Sequence, residues 1–249
     1  MLLENQLVLI TGAAKGNGAA IAKGMAAHGA IVVITDIDES AALATASGLR
    51  AQGFSAFSYR LDVRDSACCA DVIDQVEAEI GTLSVLVNNA GVRPRHTFDS
   101  RDRDALWRYA MDVNVDGIRN MTLAALAQLK ATQGSVINIT SIAAHQASGL
   151  SISYSTSKAA AHMLTKVLAL ELARDGVRVN AIAPGVIETD MTASSRSDPQ
   201  RRSALLARVP MAKFGKPEDL AGPAIFLASS LSGYMTGSTL AVDGGYLAA

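Results

Sequence analysis

Aromatic residues make up only 4% of this 249-residue chain, and cysteine occurs twice, as the neighbours Cys68 and Cys69. Adjacent cysteines rarely close a stable disulfide, so a disulfide framework is not expected. No C-x-x-C pair and no Cys/His ligand spacing occurs, which argues against a zinc site; no metal is expected. Charge of one sign is also scarce. The net charge is −1, which removes any broad attraction to nucleic acid or to an anionic membrane. The most basic stretch, Arg93 to Arg108, is broken by Asp99, Asp102 and Asp104. No apolar run approaches the length of a bilayer span, and the opening Met1-Leu2-Leu3-Glu4 carries no basic leader. A soluble, cytoplasmic protein with a small-molecule partner is expected.

What is present is aliphatic. Hydrophobic residues reach 49% and charged ones only 18%, a composition that supports a sizeable core of Ala, Val, Ile and Leu. Short apolar runs predict strands at Leu7–Thr11, Ile31–Asp36, Ala56–Leu61, Leu83–Asn88, Ser135–Thr140, Val177–Ala183 and Thr239–Val242. Between the first six lie segments of helical period: Ala14–His28, Ser40–Gln52, Ser66–Ile80, Asp99–Ala131 and Ser153–Asp175. This alternation predicts an α/β fold with a parallel sheet and right-handed crossovers, in one domain spanning residues 1–249. The segments Asp104–Ala131 and Ser153–Asp175 are apolar on several faces. A helix apolar nearly all round is covered on more than one side, by a thick monomer core or by a second subunit.

The first predicted strand runs into Gly12-Ala13-Ala14-Lys15-Gly16-Asn17-Gly18. Glycines at a strand–helix turn let the backbone approach a pyrophosphate, and the helix start offers free N–H groups and a positive dipole. Glycines at such a turn also serve packing alone. Asp36 ends the second strand, where a carboxylate accepts hydrogen bonds from ribose hydroxyls and repels a 2′-phosphate. Ile37, Asp38 and Glu39 follow without a base. NAD is therefore favoured over NADP. Lys15 is the dissenter, either reaching for a 2′-phosphate or lying exposed beside the pyrophosphate.

Tyr154 and Lys158 are four apart on a predicted helix, hence on one face. A phenol ionises near ~10, and a neighbouring ammonium favours the phenolate, moving it toward the range useful for proton transfer. Such a pair also arises by chance on many helices. Ser141 follows a strand at the carboxyl edge, where ligands bind in open α/β sheets; it serves either as a donor to a substrate oxygen or as a turn cap. Asn88-Asn89-Ala90-Gly91 ends the fourth strand at the same edge. Asn114 is a polar residue between Val113 and Val115 that needs partners if buried.

Together, Thr11-Gly12-x-x-x-Gly16-x-Gly18, Asn88-Asn89-Ala90-Gly91, Asn114, Ser141, Tyr154-x-x-x-Lys158, Asn180 and Pro184-Gly185-x-x-x-Thr189 resemble the short-chain dehydrogenase/reductase family along essentially the whole chain. The resemblance implies a Rossmann-like, doubly wound three-layer sheet in the order 3-2-1-4-5-6-7. It implies Tyr154 as general acid/base, Lys158 as holder of the nicotinamide ribose, Ser141 as orienter of the substrate oxygen, and Asn114 as holder of a relay water. Gly12, Lys15, Gly16, Asn17, Gly18, Asp36, Asp62, Val63, Asn89, Ala90, Gly91, Pro184, Gly185, Ile187 and Thr189 would surround the cofactor, with Tyr154 and Lys158. The ending Tyr234-Met235-Thr236-Gly237 through Val242-Asp243-Gly244-Gly245 resembles tetrameric members, implying a homotetramer. Asn17 departs from the pattern, since that position is usually apolar in the family.

Substrate contacts are expected from Val92–Thr97, Ile142–Ser153 and Val186–Phe214, with a lid over residues 186–214. Beside Ser141 and Tyr154, His145 either touches substrate or lies on a surface loop. Arg93, Arg95 and His96 either recognise an anion or are solvated. The reading is an NAD-dependent oxidoreductase interconverting a secondary alcohol or polyol and its ketone. Its alternatives are an NADPH-dependent ketone or 3-oxoacyl thioester reductase and a non-catalytic nucleotide-sensing scaffold.

Overall fold

The computed structural model describes residues 1–147 and 149–249. Seven strands form one sheet: β1 (Leu7–Thr11), β2 (Ile31–Asp36), β3 (Ala56–Arg60), β4 (Val85–Asn88), β5 (Ser135–Ile139), β6 (Arg178–Pro184) and β7 (Thr239–Val242). They are all parallel, in the order β3-β2-β1-β4-β5-β6-β7. Successive side chains on a strand point to opposite faces, so the apolar runs feed two cores. Val8 and Ile10 of β1 pack into one, Leu7 and Leu9 into the other.

The first core lies beneath α1 (Gly16–Ala27), α2 (Glu39–Arg50) and α10 (Ala221–Ala228). The second lies beneath α3 (Ser66–Glu79), α5 (Gly117–Ala124), α6 (Leu126–Thr132) and α7 (Ile152–Leu172). Asp38 caps α2 by accepting from the Ala41 amide, and Asp65 caps α3 by accepting from Ala67 and Cys68. Among the described residues no helix is long and apolar enough to cross a membrane.

The stretch expected as one helix, Asp99–Ala131, is divided. It opens with α4 (Arg103–Met111), passes through a π-helical turn at Asp112–Asp116, and resumes as α5 and α6. The wide turn holds Asn114, fully buried, with its amide bonded to Val92 and Ser157 rather than along the helix. Two further helices, α8 (Asp190–Ser197) and α9 (Pro199–Leu206), occupy the segment expected as a lid.

Strand order reverses between β1 and β4, which opens a crevice at the carboxyl edge. The crevice floor is fixed by Asn89, whose side-chain amide donates to the carbonyls of Thr11 (2.9 Å) and Gly12 (2.8 Å). At the other edge, Arg178 of β6 holds the end of α10. Its guanidinium donates to the Leu227 carbonyl (2.8 Å), the Ser232 hydroxyl (2.8 Å) and the Ser232 carbonyl (3.2 Å). Bonds from a charged donor contribute about 1.5–3 kcal/mol. Arg178→Met is expected to lower Tm by about 4–10 °C in thermal circular dichroism; an unchanged Tm would show that the contact is idle.

Candidate active site

One cavity of about 1110 Å³ runs along the carboxyl edge, from Asp36 and Asp62 at one end to Tyr154 and Arg201 at the other. Gly12, Lys15, Gly16, Asn17, Asp36, Asp62, Val63, Asn89, Ala90, Gly91, Ser141, Tyr154, Lys158, Pro184, Gly185, Ile187 and Thr189 all line it. Three expected residues do not. Gly18 packs behind the loop, where a Cβ would lie 2.6 Å from both the Asn89 amide nitrogen and the Gly12 carbonyl. Asn114 sits behind Gly91. His145 turns away, its ring edge-on to His162 at 4.7 Å, and its neighbour Gln146 lines the cavity instead. Ser148, within the expected contact stretch Ile142–Ser153, lies outside the described residues.

The glycine loop fits a dinucleotide phosphate. Gly12 has φ +61°, and a Cβ on it would meet the Ala90 Cα at 2.8 Å, so the backbone alone fills that space. No side chain caps α1, and its first turn holds no acid, which leaves its N–H groups and dipole facing the cavity. Asn17 is not spent on the loop, because its buried Oδ1 has no hydrogen-bond partner.

Carboxylates surround the cavity's far end. Asp36 is held by two amides, Oδ2 accepting from Ala14 and Oδ1 from Asp38, both at 3.2 Å. Lys15 is engaged by Asp190 at 3.0 Å; that bond, followed by the charges of Asp190, Asp36 and Asp38, raises its pKa. Arg64, which the sequence reading did not single out, is likewise engaged, clasping Asp62 at 2.6 Å.

At the other end, Ser141 starts the 3-10 turn Ile142–Ala144, its Oγ accepting from the Ala143 amide at 3.1 Å. The serine caps the turn, one of its two expected roles, and its side chain also hydrogen-bonds Tyr154. The Tyr154 phenol is buried, which raises its pKa; the Ser141 hydrogen bond and the Arg93 charge pull it back down. The expected pull from Lys158 is not what the geometry delivers. Lys158 Nζ lies 6.0 Å from the Tyr154 ring centroid and donates to the Ile139 carbonyl at 2.8 Å, while the Arg93 guanidinium carbon is 5.4 Å from that centroid. Burial lowers Lys158 itself to about 8.

Asn114 meets this group from behind. Its Nδ2 donates to the Val92 carbonyl and to Ser157 Oγ, each at 2.9 Å, and its Oδ1 accepts from the Val92 amide at 2.8 Å. Both donors are spent, and one acceptor lone pair remains. A Cβ on Gly91 would lie 3.2 Å from that Oδ1 and 3.3 Å from Lys158 Nζ, so the two polar groups converge on the spot that glycine leaves open.

The lowered Lys158 pKa makes a stability statement. Between pH 8 and 10.5 the unfolded chain holds a proton that the folded chain has released, so stability rises with pH through that window. Lys158→Met removes this dependence. Its Tm relative to the parent is therefore expected to be highest near pH 7 and to fall by pH 10, a change on the order of 3 kcal/mol. The orphaned Ile139 carbonyl adds a constant cost, so the trend between the two pH values is the test. A flat difference across the window would contradict the buried ammonium.

Comparison with known proteins places this geometry. A family profile described as enoyl-(acyl carrier protein) reductase matches residues 12–247. An L-rhamnose 1-dehydrogenase (NAD(P)(+)) of a Sphingomonas strain is 36% identical over 247 residues, covering 98% of this chain and 97% of that one. A 3-oxoacyl-[acyl-carrier-protein] reductase of Escherichia coli is 37% identical over 246 residues, covering 98% of both. A crystal structure of a gluconate 5-dehydrogenase from Burkholderia cenocepacia, in complex with NADP and tartrate, superposes with a TM-score of 0.96 at 37% identity. It is matched over 99% of this chain and 97% of that one. The chain belongs to the short-chain dehydrogenase/reductase family.

Proposed function

We propose that this oxidoreductase is an NAD-dependent dehydrogenase that oxidises a secondary alcohol or polyol to its ketone, with Tyr154 as the acid/base. The observation that carries the reading is the meeting of Ser141, Tyr154 and Lys158 at one end of a cavity whose other end fits a dinucleotide.

A bound nicotinamide supplies the hydride acceptor. The chain's own groups manage the proton. Ser141 donates to the substrate oxygen, and Tyr154 as phenolate takes the hydroxyl proton. Arg93 and Ser141 favour that phenolate against its burial. Lys158, with one proton on the Ile139 carbonyl, keeps two donors for the cofactor ribose. Asn114 offers its remaining acceptor to a water between itself and Lys158, which would return the proton to solvent.

The preference for NAD rests on the adenosine end. A 2′-phosphate there would face Asp36, Asp38, Asp62 and Asp190; of the nearby cations, Lys15 and Arg64 already hold carboxylates, and Arg60, in register with Asp36, lends its charge to Asp62. Like-charge juxtaposition of this kind costs on the order of several kcal/mol. One structural relative was crystallised with NADP, and the name of one sequence relative gives NAD(P)(+). The substrate class draws on the relatives, whose names give a rhamnose, a gluconate and a hydroxycyclohexanecarboxylate dehydrogenase. A 3-oxoacyl reductase among them keeps the reductive reading as the second.

A homotetramer accounts for the outer helices. Met163, Val167 and Leu170 are exposed along α7, and Trp107 and Tyr109 are exposed on the neighbouring α4. Exposed large apolar side chains on two packed helices are the composition of a contact surface, although Tyr109 also lines the cavity. Leu170→Lys is expected to shift the mass seen in light scattering from that of a tetramer toward a smaller species; an unchanged mass would exclude this face.

Calorimetric titration is expected to give NADH at least tenfold tighter than NADPH, and Asp36→Ala to narrow that ratio. Tyr154→Phe is expected to reduce turnover at least a thousandfold while leaving NADH affinity within about threefold. Tighter NADPH binding would move the assignment to the reductase; full turnover in Tyr154→Phe would remove the acid/base.

A further inference from the structure

Beyond the pull of Arg93 on the Tyr154 phenol, the cavity wall beside Tyr154 carries positive charge that hydride transfer does not use. Arg93 and Arg95 follow β4, Arg201 lies on α9, and all three line the cavity. Arg93 stands over the Tyr154 ring, 5.4 Å from centroid to guanidinium carbon, with one Nη on Ser151 and a buried Nε that has no partner. Arg95 donates to the hydroxyl of Ser195 on α8. Its charge is disfavoured by desolvation and by the positive charges of Arg93 and Arg201.

Three like charges share this wall, Arg93 partly buried and Arg95 and Arg201 at its exposed rim, and an anion among them relieves their mutual repulsion. The protein supplies little of one. Among the described residues no carboxylate lies within 4.0 Å of the Arg93 or Arg95 guanidinium nitrogens, and Arg201 has only the exposed Asp198 at 3.5 Å. Glu188 lines the cavity without an ion pair, and Asp190 is taken by Lys15. Arg208, also on the wall, stacks over Tyr246 at 4.4 Å.

We infer that Arg93, Arg95 and Arg201 form a subsite for a substrate carboxylate, so that the alcohol oxidised is a hydroxy acid, such as an aldonate-like polyhydroxy carboxylate. This deepens the dehydrogenase reading above and rests on it for the reaction. The planar fork of arginine matches a carboxylate with two parallel hydrogen bonds. The position of Arg93 over the phenol sets the carboxylate only a few carbons from the hydroxyl that reacts. Arg95 and Arg201 come from different elements, one on the loop after β4 and one on α9. An anion between them therefore also draws the α8–α9 segment onto the sheet.

The test uses D-gluconate, sorbitol and sorbitol 6-phosphate, which share a six-carbon polyol and differ in the charged end. Each is assayed with NAD, and each is titrated calorimetrically into the protein–NADH complex, where no turnover occurs. Gluconate is expected to bind at least tenfold tighter than sorbitol and tighter than the phosphate ester. In Arg95→Met and Arg201→Met, the gluconate-to-sorbitol ratio of kcat/KM is expected to fall at least tenfold, chiefly through the gluconate KM. Equal binding of gluconate and sorbitol, or a ratio unmoved in both variants, overturns the subsite while leaving the dehydrogenase standing. Tighter binding of the phosphate ester reassigns the site to phosphorylated polyols and overturns the carboxylate. Gluconate binding that is lost in the variants, with no hydride transfer to NAD from any compound, would uphold the subsite and fail the dehydrogenase.

Discussion

Lys158 is an ammonium buried under the sheet's carboxyl edge with one carbonyl for a partner, and much of the site depends on keeping it there. Burying an unpaired cation is costly, and the protein lowers its pKa rather than adding a carboxylate. A carboxylate beside Lys158 would hold it charged but would also repel a phenolate at Tyr154. The arrangement instead leaves two ammonium donors uncommitted within the cavity, next to the buried phenol. Rigidity comes from a separate polar chain. Asn88 donates to Asn138, Asn138 donates to Thr165, and Thr165 donates to the Ala161 carbonyl, each bond at 2.9 Å. That chain ties β4 and β5 to α7 below Tyr154, so the helix carrying both reactive groups is set by the core.

Charge is divided along the cavity although the chain as a whole is nearly neutral. Asp36, Asp62 and Asp190 line one part of it, with Asp38 near enough to act on Lys15, and Arg93, Arg95 and Arg201 line another. The −1 net charge seen in the sequence therefore excludes partners bound by bulk electrostatics but says nothing of a polarised cleft. Local pairing sharpens the division. Lys15 and Arg64 are cations at the acidic end, yet each is already matched to a carboxylate.

The sheet was legible because burial on both faces makes the central strands short, nearly continuous apolar runs; the seven expected strands and the observed ones differ at their ends by no more than two residues. The motif residues were legible because a turn, a cap or a reactive pair restricts residue type. Other features were not. The helix expected over Asp99–Ala131 breaks at Asn114, whose polarity was visible while the π-helical turn it occupies was not. Helices α8 and α9 carry few apolar residues and no clear period, so a segment that folds over a cavity reads like a loop. Arg93 as the cation nearest the Tyr154 ring could not be found from spacing, because it reaches the phenol from another strand's loop rather than from the same helix. His145 shows the converse, since nearness in sequence to Ser141 did not bring it to the cavity.

The segment from Val186 to Phe214 walls the cavity at Val186 through Thr192 and again at Ser195, Arg201 and Arg208. Thr189 and Thr192 form a reciprocal cap that starts α8, and the helix is then pinned at two points, by Lys15 to Asp190 and by Arg95 to Ser195. The first pin is an exposed ion pair, weak and screened by salt. The second runs from the exposed Arg95 to the buried hydroxyl of Ser195. One anchor thus belongs to the glycine loop and the other to the cationic wall. A cofactor at the first and an anion at the second would each change one contact of the same short helix. The two ligands are coupled through α8 to the extent that they strengthen or release these pins, because a ligand shifts a conformational balance only by its differential contacts with the two states.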